Sequence, residues 1–285
     1  MERTAHVATV HWRSDSWIDT QLEALKRHCP CPMRLYAYLS GVDEAFYVHF
    51  DSVHTEDNLS HPLKLNALAD EICALANDDD ILIFIDGDAF PVADLGAAVD
   101  ALERYPLVAA QRLENNGDLQ PHPCFCCTTV GFWREIAGDW RGGGYWKNSQ
   151  GQPVTDVGGR LLVSLQERGV EWLALTRSNK HDLHPLWFGV YGDVVYHHGA
   201  GFRDKLCRLD ALRGVDLFSR LILKLQARLR LGRIWPGLDR AITKRIHNYM
   251  RFRNGRMADR VFASIQADPD FAQHWGFLEQ GSPGQ

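Results

Sequence analysis

A chain of 285 residues, 45% hydrophobic and 24% charged, can build one large α/β domain or one domain with a helical appendage. No run approaches the roughly 18 apolar residues that span a bilayer. Met1 to Val10 lacks the basic opening and long apolar centre of a secretory signal, so the expectation is a cytoplasmic protein. The net charge of −5 hides an asymmetry: Gly201 to Arg260 carries 16 Lys+Arg against 5 Asp+Glu, so the remainder is strongly acidic. Seven cysteines at irregular spacing argue against a disulfide framework. His122-Pro123-Cys124-Phe125-Cys126-Cys127 lacks the Cys-x2-Cys spacing and second pair of a zinc knuckle, so small residues packed beside a strand are expected there.

In chain order, His6 to Trp12 reads as a strand and Trp17 to His28 as a helix with Ile18, Leu22 and Leu25 on one side. Met33 to Leu39 alternates like a strand, and Phe46 to Phe50 reads as a short third one. His61-Pro62 opens a helix in which Leu63, Leu65, Leu68, Ile72 and Leu75 recur at helical intervals. Ile81 to Ile85 is a continuous apolar run, the pattern of a strand buried on both faces of a parallel sheet. Val92 to Tyr105 reads as a helix, Leu107 to Gln111 as a strand and Cys124 to Phe132 as another. Gly138 to Gly159 is rich in Gly and Trp and reads as a loop, and Thr155-Asp156 as the start of the helix carrying Leu161, Leu162 and Leu165. Trp172 to Leu175 and Asp193 to Tyr196 are the last strand candidates, and helical patterning runs from Arg203 to about Phe277. This alternation implies a mostly parallel sheet with crossover helices.

The chemistry concentrates where the apolar run meets Asp86-Gly87-Asp88. The carboxyl end of a strand is where open α/β sheets place ligands. Two carboxylates flanking a glycine can share one hard cation, and the glycine lets a phosphate approach the backbone.

The order of parts resembles the GT-A glycosyltransferases, the nucleotide-diphospho-sugar transferase fold. The resemblance covers roughly residues 5 to 203. It rests on the strand and Asp-x-Asp motif at 81–88, on the preceding helix with Lys64-Leu65-Asn66-Ala67-Leu68, and on Val195-Tyr196-His197-His198-Gly199. It implies a Rossmann-like, mostly parallel mixed sheet flanked by helices, a catalytic domain over 1–203 and a basic helical extension over 204–285. It further implies a hexosyltransferase-like enzyme of polysaccharide biosynthesis that moves sugar from a nucleotide-sugar donor such as a UDP-sugar to a hydroxyl acceptor. The acceptor would be a carbohydrate or lipid-linked glycan, and the cation Mn2+ or Mg2+. Asp88 would ligate the metal directly, and Asp86 would do so through water or hold the ribose. One of His197 and His198 would be the third ligand, with His198 preferred because Gly199 beside it permits a close turn. Asp156 would be the base that deprotonates the acceptor, although a Thr155-Asp156 pair stands where Glu-Asp is more usual. Thr9, His11 and Asp43 would surround base and ribose, and Lys64 would reach the diphosphate. Trp133, Trp140, Tyr145, Trp146 and Trp187 are candidates for stacking on sugar faces.

Two other readings weigh less. A haloacid-dehalogenase-type phosphohydrolase also ends a strand in Asp-x-Asp, but its motif continues with Thr or Val where Phe90 stands here, and lies near the N-terminus. A non-catalytic nucleotide-sugar-binding relic of the fold is the other. In the basic segment, Phe218, Leu221, Ile222, Leu225 and Leu229 fall on one side of a helix over 217–231, and Arg220, Lys224 and Arg228 on another. Such a helix can dock on the acidic body or make peripheral contact with the inner face of a membrane. No motif for nucleic acid accompanies the charge.

Overall fold

The computed structural model describes residues 3–113, 117–147, 151, 153–178, 189–198, 217–246, 248, 249, 263 and 267. The chain divides into two compact units, the first Met1–Ser178 with Val190–His197, the second Asn179–Gly189 with His198–Gln285.

The first unit is built on a seven-stranded sheet. Its strands are β1 (Ala5–Trp12), β2 (Met33–Ser40), β3 (Ser52–His54), β4 (Ile81–Asp86), β6 (Leu107–Gln111), β7 (His122–Thr129) and β10 (Leu173–Thr176). They lie in the order β10-β6-β7-β4-β1-β2-β3. The pairs β1–β2, β1–β4, β2–β3 and β6–β10 are parallel, and β7 runs antiparallel to both β4 and β6. This is the mostly parallel mixed α/β sheet that the strand–helix alternation implies. β4 sits at its centre with all five apolar residues fully buried. Leu82 and Phe84 face a core made with α2 (His61–Leu75), α4 (Val130–Glu135) and α5 (Gly159–Glu167). Ile81, Ile83 and Ile85 face the other core, with Leu25 of α1 (Ile18–His28) and Ala98 and Val99 of α3 (Gly96–Asp100). At about 1.5–3 kcal/mol for each large apolar side chain removed from water, this strand anchors whatever follows it.

A second sheet, β11-β12-β5, joins β5 (Ala89–Pro91) to β12 (Val195–His197) and β11 (Gly189–Tyr191). β8 (Trp146–Lys147) and β9 (Pro153–Val154) form a small hairpin inside the glycine-rich stretch.

Several sequence expectations are corrected. Residues Glu44–His49 form a 3-10 helix rather than part of a strand, because the Asp43 carboxylate accepts the Ala45 N–H at 2.9 Å and nucleates a turn. The helix expected over Val92 to Tyr105 is cut down to α3 and a 3-10 turn at Ala101–Glu103. The strand expected to run to Phe132 stops at Thr129, whose hydroxyl accepts the Phe132 N–H at 3.2 Å and caps α4. Helix α5 starts at Gly159, so Asp156 lies in the turn before it.

In the second unit, α6 (Leu217–Arg228) and α7 (Leu231–Ile234) are followed by helical residues over 236–246. Among the described residues no helix is long and apolar enough to cross a membrane. The remainder of the helical expectation up to Phe277, and Trp187, lie largely or wholly outside the described residues.

Candidate functional site

β4 delivers Asp86 at its carboxyl end, and the chain turns at Gly87-Asp88 into β5. A Cβ at position 87 would stand 2.5 Å from the Val10 carbonyl oxygen and 2.7 Å from His11 Nδ1. Only glycine fits between β1 and the acidic turn, so the requirement is already set by the protein's own backbone.

Gln21, buried on α1, fixes this turn. Its amide nitrogen donates to the carbonyl oxygens of Asp86 at 2.8 Å and Ala89 at 2.7 Å, one on each side of the acids. Its amide oxygen accepts from Thr9 Oγ1 at 3.1 Å and lies 3.2 Å from His11 Nε2. Burial pulls the His11 pKa down to about 4, against the smaller upward pull of Gln21 and Asp88, so the ring is neutral at neutral pH. Thr9 and His11, expected to surround base and ribose, are thus buried and bonded to Gln21 behind the turn. Gln21→Leu strips the turn of both donated hydrogen bonds. Unsatisfied buried carbonyls cost about 1–3 kcal/mol each. The variant is expected to lose several degrees of Tm and about tenfold or more in Mn2+ affinity, a drop of the size seen when groups that orient metal ligands are removed. Unchanged metal affinity by titration would show that the turn holds its shape without Gln21.

β12 brings the third group. It pairs antiparallel with β5 in the register that sets His197 opposite Ala89, beside Asp88. His197 Nε2 lies 3.3 Å from Asp88 Oδ1 and 3.6 Å from Asp86 Oδ2. One ligand atom from each of Asp86, Asp88 and His197 falls within 4.8 Å of the other two. His197 therefore joins the acids where His198 was preferred. His198 is buried, is not part of this group, and belongs to the second unit. Adjacent residues of a strand point to opposite faces, and the register decides which of them meets the acids.

Three more residues stand at or behind this group, none of them assigned to it from the sequence. His61, at the start of α2, places Nε2 3.1 Å from Asp86 Oδ1. Burial opposes its charged form, but the Asp86 and Asp88 carboxylates together outweigh that and raise its pKa. The ring of His122 lies 5.7 Å from that of His197, and the Arg112 guanidinium reaches within 3.0 Å of His122 Nε2.

The remaining candidates are placed as follows. Asp43 is exposed and caps the 3-10 turn. Lys64 is buried, donating to Ser40 Oγ at 2.7 Å and to Asp57 Oδ1 at 3.2 Å. Asp156 is half-buried, and one of its oxygens accepts the Val157 N–H at 2.8 Å. Trp133 and Trp140 pack on Phe84 in the core at 4.6 and 5.0 Å, Trp146 is buried, and Tyr145 is exposed. Among the described residues six cysteines stand outside any disulfide, and burial pushes the Cys126 and Cys127 thiols up.

The donor set fits a divalent cation. Two carboxylates and an imidazole converge, and among the described residues the buried Asp86 Oδ1 has only the His61 Nε2, at 3.1 Å, beside it. Carboxylate with one imidazole suits Mn2+ better than Ca2+, whose sites are built from oxygen alone.

No protein-family model matches the chain, and no curated protein matches it. Similar solved structures include mannosyltransferase PcManGT from Pyrobaculum calidifontis in complex with GDP-Man and Mn2+, 12% identical, covering 98% of this chain and 86% of that one at a TM-score of 0.44. A TarS fragment of S. aureus in complex with UDP-GlcNAc is 11% identical and covers 48% of each chain at 0.36, so this chain spans about half of it. The apo-form GlyE of Streptococcus pneumoniae TIGR4 is 13% identical, covering 61% of this chain and 45% of that one at 0.38. These three structures are of glycosyltransferases.

Proposed function

We propose that this protein is a metal-dependent, hexosyltransferase-like glycosyltransferase that moves a sugar from a nucleotide-diphosphate-sugar to a hydroxyl of a carbohydrate or lipid-linked acceptor in polysaccharide biosynthesis. The observation that carries the proposal is the convergence of Asp86, Asp88 and His197 at the carboxyl end of the central strand. Such a triad holds Mn2+ or Mg2+, which when bound neutralises the charge that develops on a departing diphosphate.

The protein's own groups have simpler tasks. Asp86, Asp88 and His197 fix where the diphosphate sits, and Gln21 keeps the turn that carries the acids in one shape. Asp156 is the base. As the acceptor oxygen bonds to the anomeric carbon, its proton passes to the free Asp156 oxygen. The anomeric C–O bond breaks, and its electron pair leaves with the nucleoside diphosphate.

Incubating the protein with a panel of UDP- and GDP-sugars tests this directly. Release of nucleoside diphosphate is expected from at least one donor, with Mn2+ present and not with EDTA. If no donor on the panel stabilises the protein or turns over, with or without metal, the proposal fails.

A further inference from the structure

The catalytic proposal leaves the second unit unused, and its surface departs from what its sequence implies. Leu221, Leu225 and Leu229, spaced to bury one helix face, are 64%, 53% and 51% exposed. Among the α6 side chains described, Ile222 is half-buried and the polar Gln226 is buried, its amide nitrogen reaching the Asp239 carbonyl at 3.2 Å. At about 100° per residue Gln226 lies roughly 100° round the helix from the centre of the leucine stripe and beside the half-buried Ile222, so α6 packs by the Gln226–Ile222 side and leaves Leu221, Leu225 and Leu229 toward solvent. Past the end of α6 the exposure continues, with Ile234 at 62%, Trp235 at 63% and Leu238 at 45%. A single exposed leucine needs no explanation, but here six large apolar side chains are exposed within the span 221–238, a density that points to an interaction surface.

The charge beside the patch says what covers it. Lys224 and Arg228 are exposed and lie on the helix flank next to the leucines, and Arg230 and Arg233 follow, also exposed. No acid stands between Leu217 and Gly237. Long basic side chains can lie along an apolar surface and keep their charge in water, and tryptophan favours the boundary between hydrocarbon and headgroups. The half-buried Asp239 beyond Leu238 is held by Gln226, and the exposed charges beside the leucines are the cations named above, so this apolar surface complements an anionic, half-apolar one.

We propose that the face formed by Leu221, Leu225, Leu229, Ile234 and Trp235, with its flanking Lys224, Arg228, Arg230 and Arg233, is a docking surface for an anionic lipid bilayer. The contact would place the enzyme beside a lipid-linked acceptor, but the surface is argued from its own exposure and charge and stands apart from the catalytic proposal.

Sedimentation of the full chain with phosphatidylglycerol-containing vesicles tests it without any turnover. Binding is expected at low salt, with release at 0.5 M salt as screening takes hold (about 3–5 Å Debye length), and much weaker binding to phosphatidylcholine vesicles. A basic residue near an anionic surface is worth about fivefold in partitioning, so Lys224→Gln with Arg228→Gln should lower binding roughly 25-fold. Leu225→Ser with Trp235→Ser, conservative in fold because both positions are exposed, should abolish it. Equal sedimentation of these variants and the unaltered chain overturns the assignment, as does no sedimentation at low salt. A concentration-dependent dimer in the absence of lipid, lost in the Leu225→Ser/Trp235→Ser variant, would show instead that a second copy covers the face.

Discussion

Asp88→Asn is expected to lower donor turnover by about 10³-fold and to erase the extra stability that Mn2+ confers on the complex with a nucleoside diphosphate. A cation at a leaving phosphate contributes several kcal/mol of charge stabilisation, and about 1.4 kcal/mol is tenfold in rate. Asn keeps the size of Asp but takes away the charge and half the acceptor capacity that a metal needs. The fold should persist, because Asp88 lies in a turn with its side chain 25% exposed, while the strand feeding that turn is buried on both faces. Thermal shift of the variant with UDP or GDP should give the same Tm with Mn2+ as with EDTA, since a ligand stabilises only what it binds. A variant that kept the full metal-dependent shift would remove Asp88 from the site.

Asp156→Asn should lower turnover by at least about 10²-fold, the usual worth of a general base, with donor affinity nearly unchanged. The geometry makes this substitution informative. One Asp156 oxygen already accepts the Val157 N–H at 2.8 Å, a bond that the Asn amide oxygen can keep. What Asn cannot do is accept a proton on the other atom. Loss of turnover without loss of Tm would therefore report chemistry rather than a broken turn. Near-normal turnover would reduce Asp156 to a residue that shapes the approach to α5, and would leave open a mechanism that retains the anomeric configuration and needs no such base.

The parts of this fold legible in the sequence are those that a local pattern dictates. Ile81 to Ile85 can only be a strand covered on both faces, and the acids that end it follow at once. What was missed depended on long-range register or on single side chains. Of His197 and His198 nothing local tells which faces the acids, whereas the pairing of β12 with β5 sets His197 opposite Ala89. The early end of β7 was readable in principle, since Thr129 stands three residues before Phe132 in a capping position. Gln21 also left a trace: it lies on the same helix face as Ile18 and Leu25, a polar residue where only apolar ones belong. His61 left none, because its meeting with Asp86 arises from the placement of the α2 start beside the β4 end. Thr9, His11 and Lys64 sat at plausible strand and helix positions, yet their polar atoms are engaged by Gln21, Ser40 and Asp57. In the C-terminal segment the leucine spacing was legible but not the exposure of Leu221, Leu225 and Leu229, because the helix settles on its Gln226–Ile222 side.

The claim on which all of this turns is that Asp86, Asp88 and His197 together hold a divalent cation. Electron paramagnetic resonance of Mn2+ measures that directly, because the six-line signal of the free ion collapses on binding. Titrating the protein in the presence of UDP or GDP should deplete the free signal at one site per chain. His197→Ala should weaken that binding by about 10–100-fold or more, since it removes a ligand rather than a supporting group, and Asp88→Asn should do at least as much, whereas His198→Ala should leave it within a few-fold. A free Mn2+ signal untouched by the protein, or binding that survives intact in both His197→Ala and Asp88→Asn, would contradict the account.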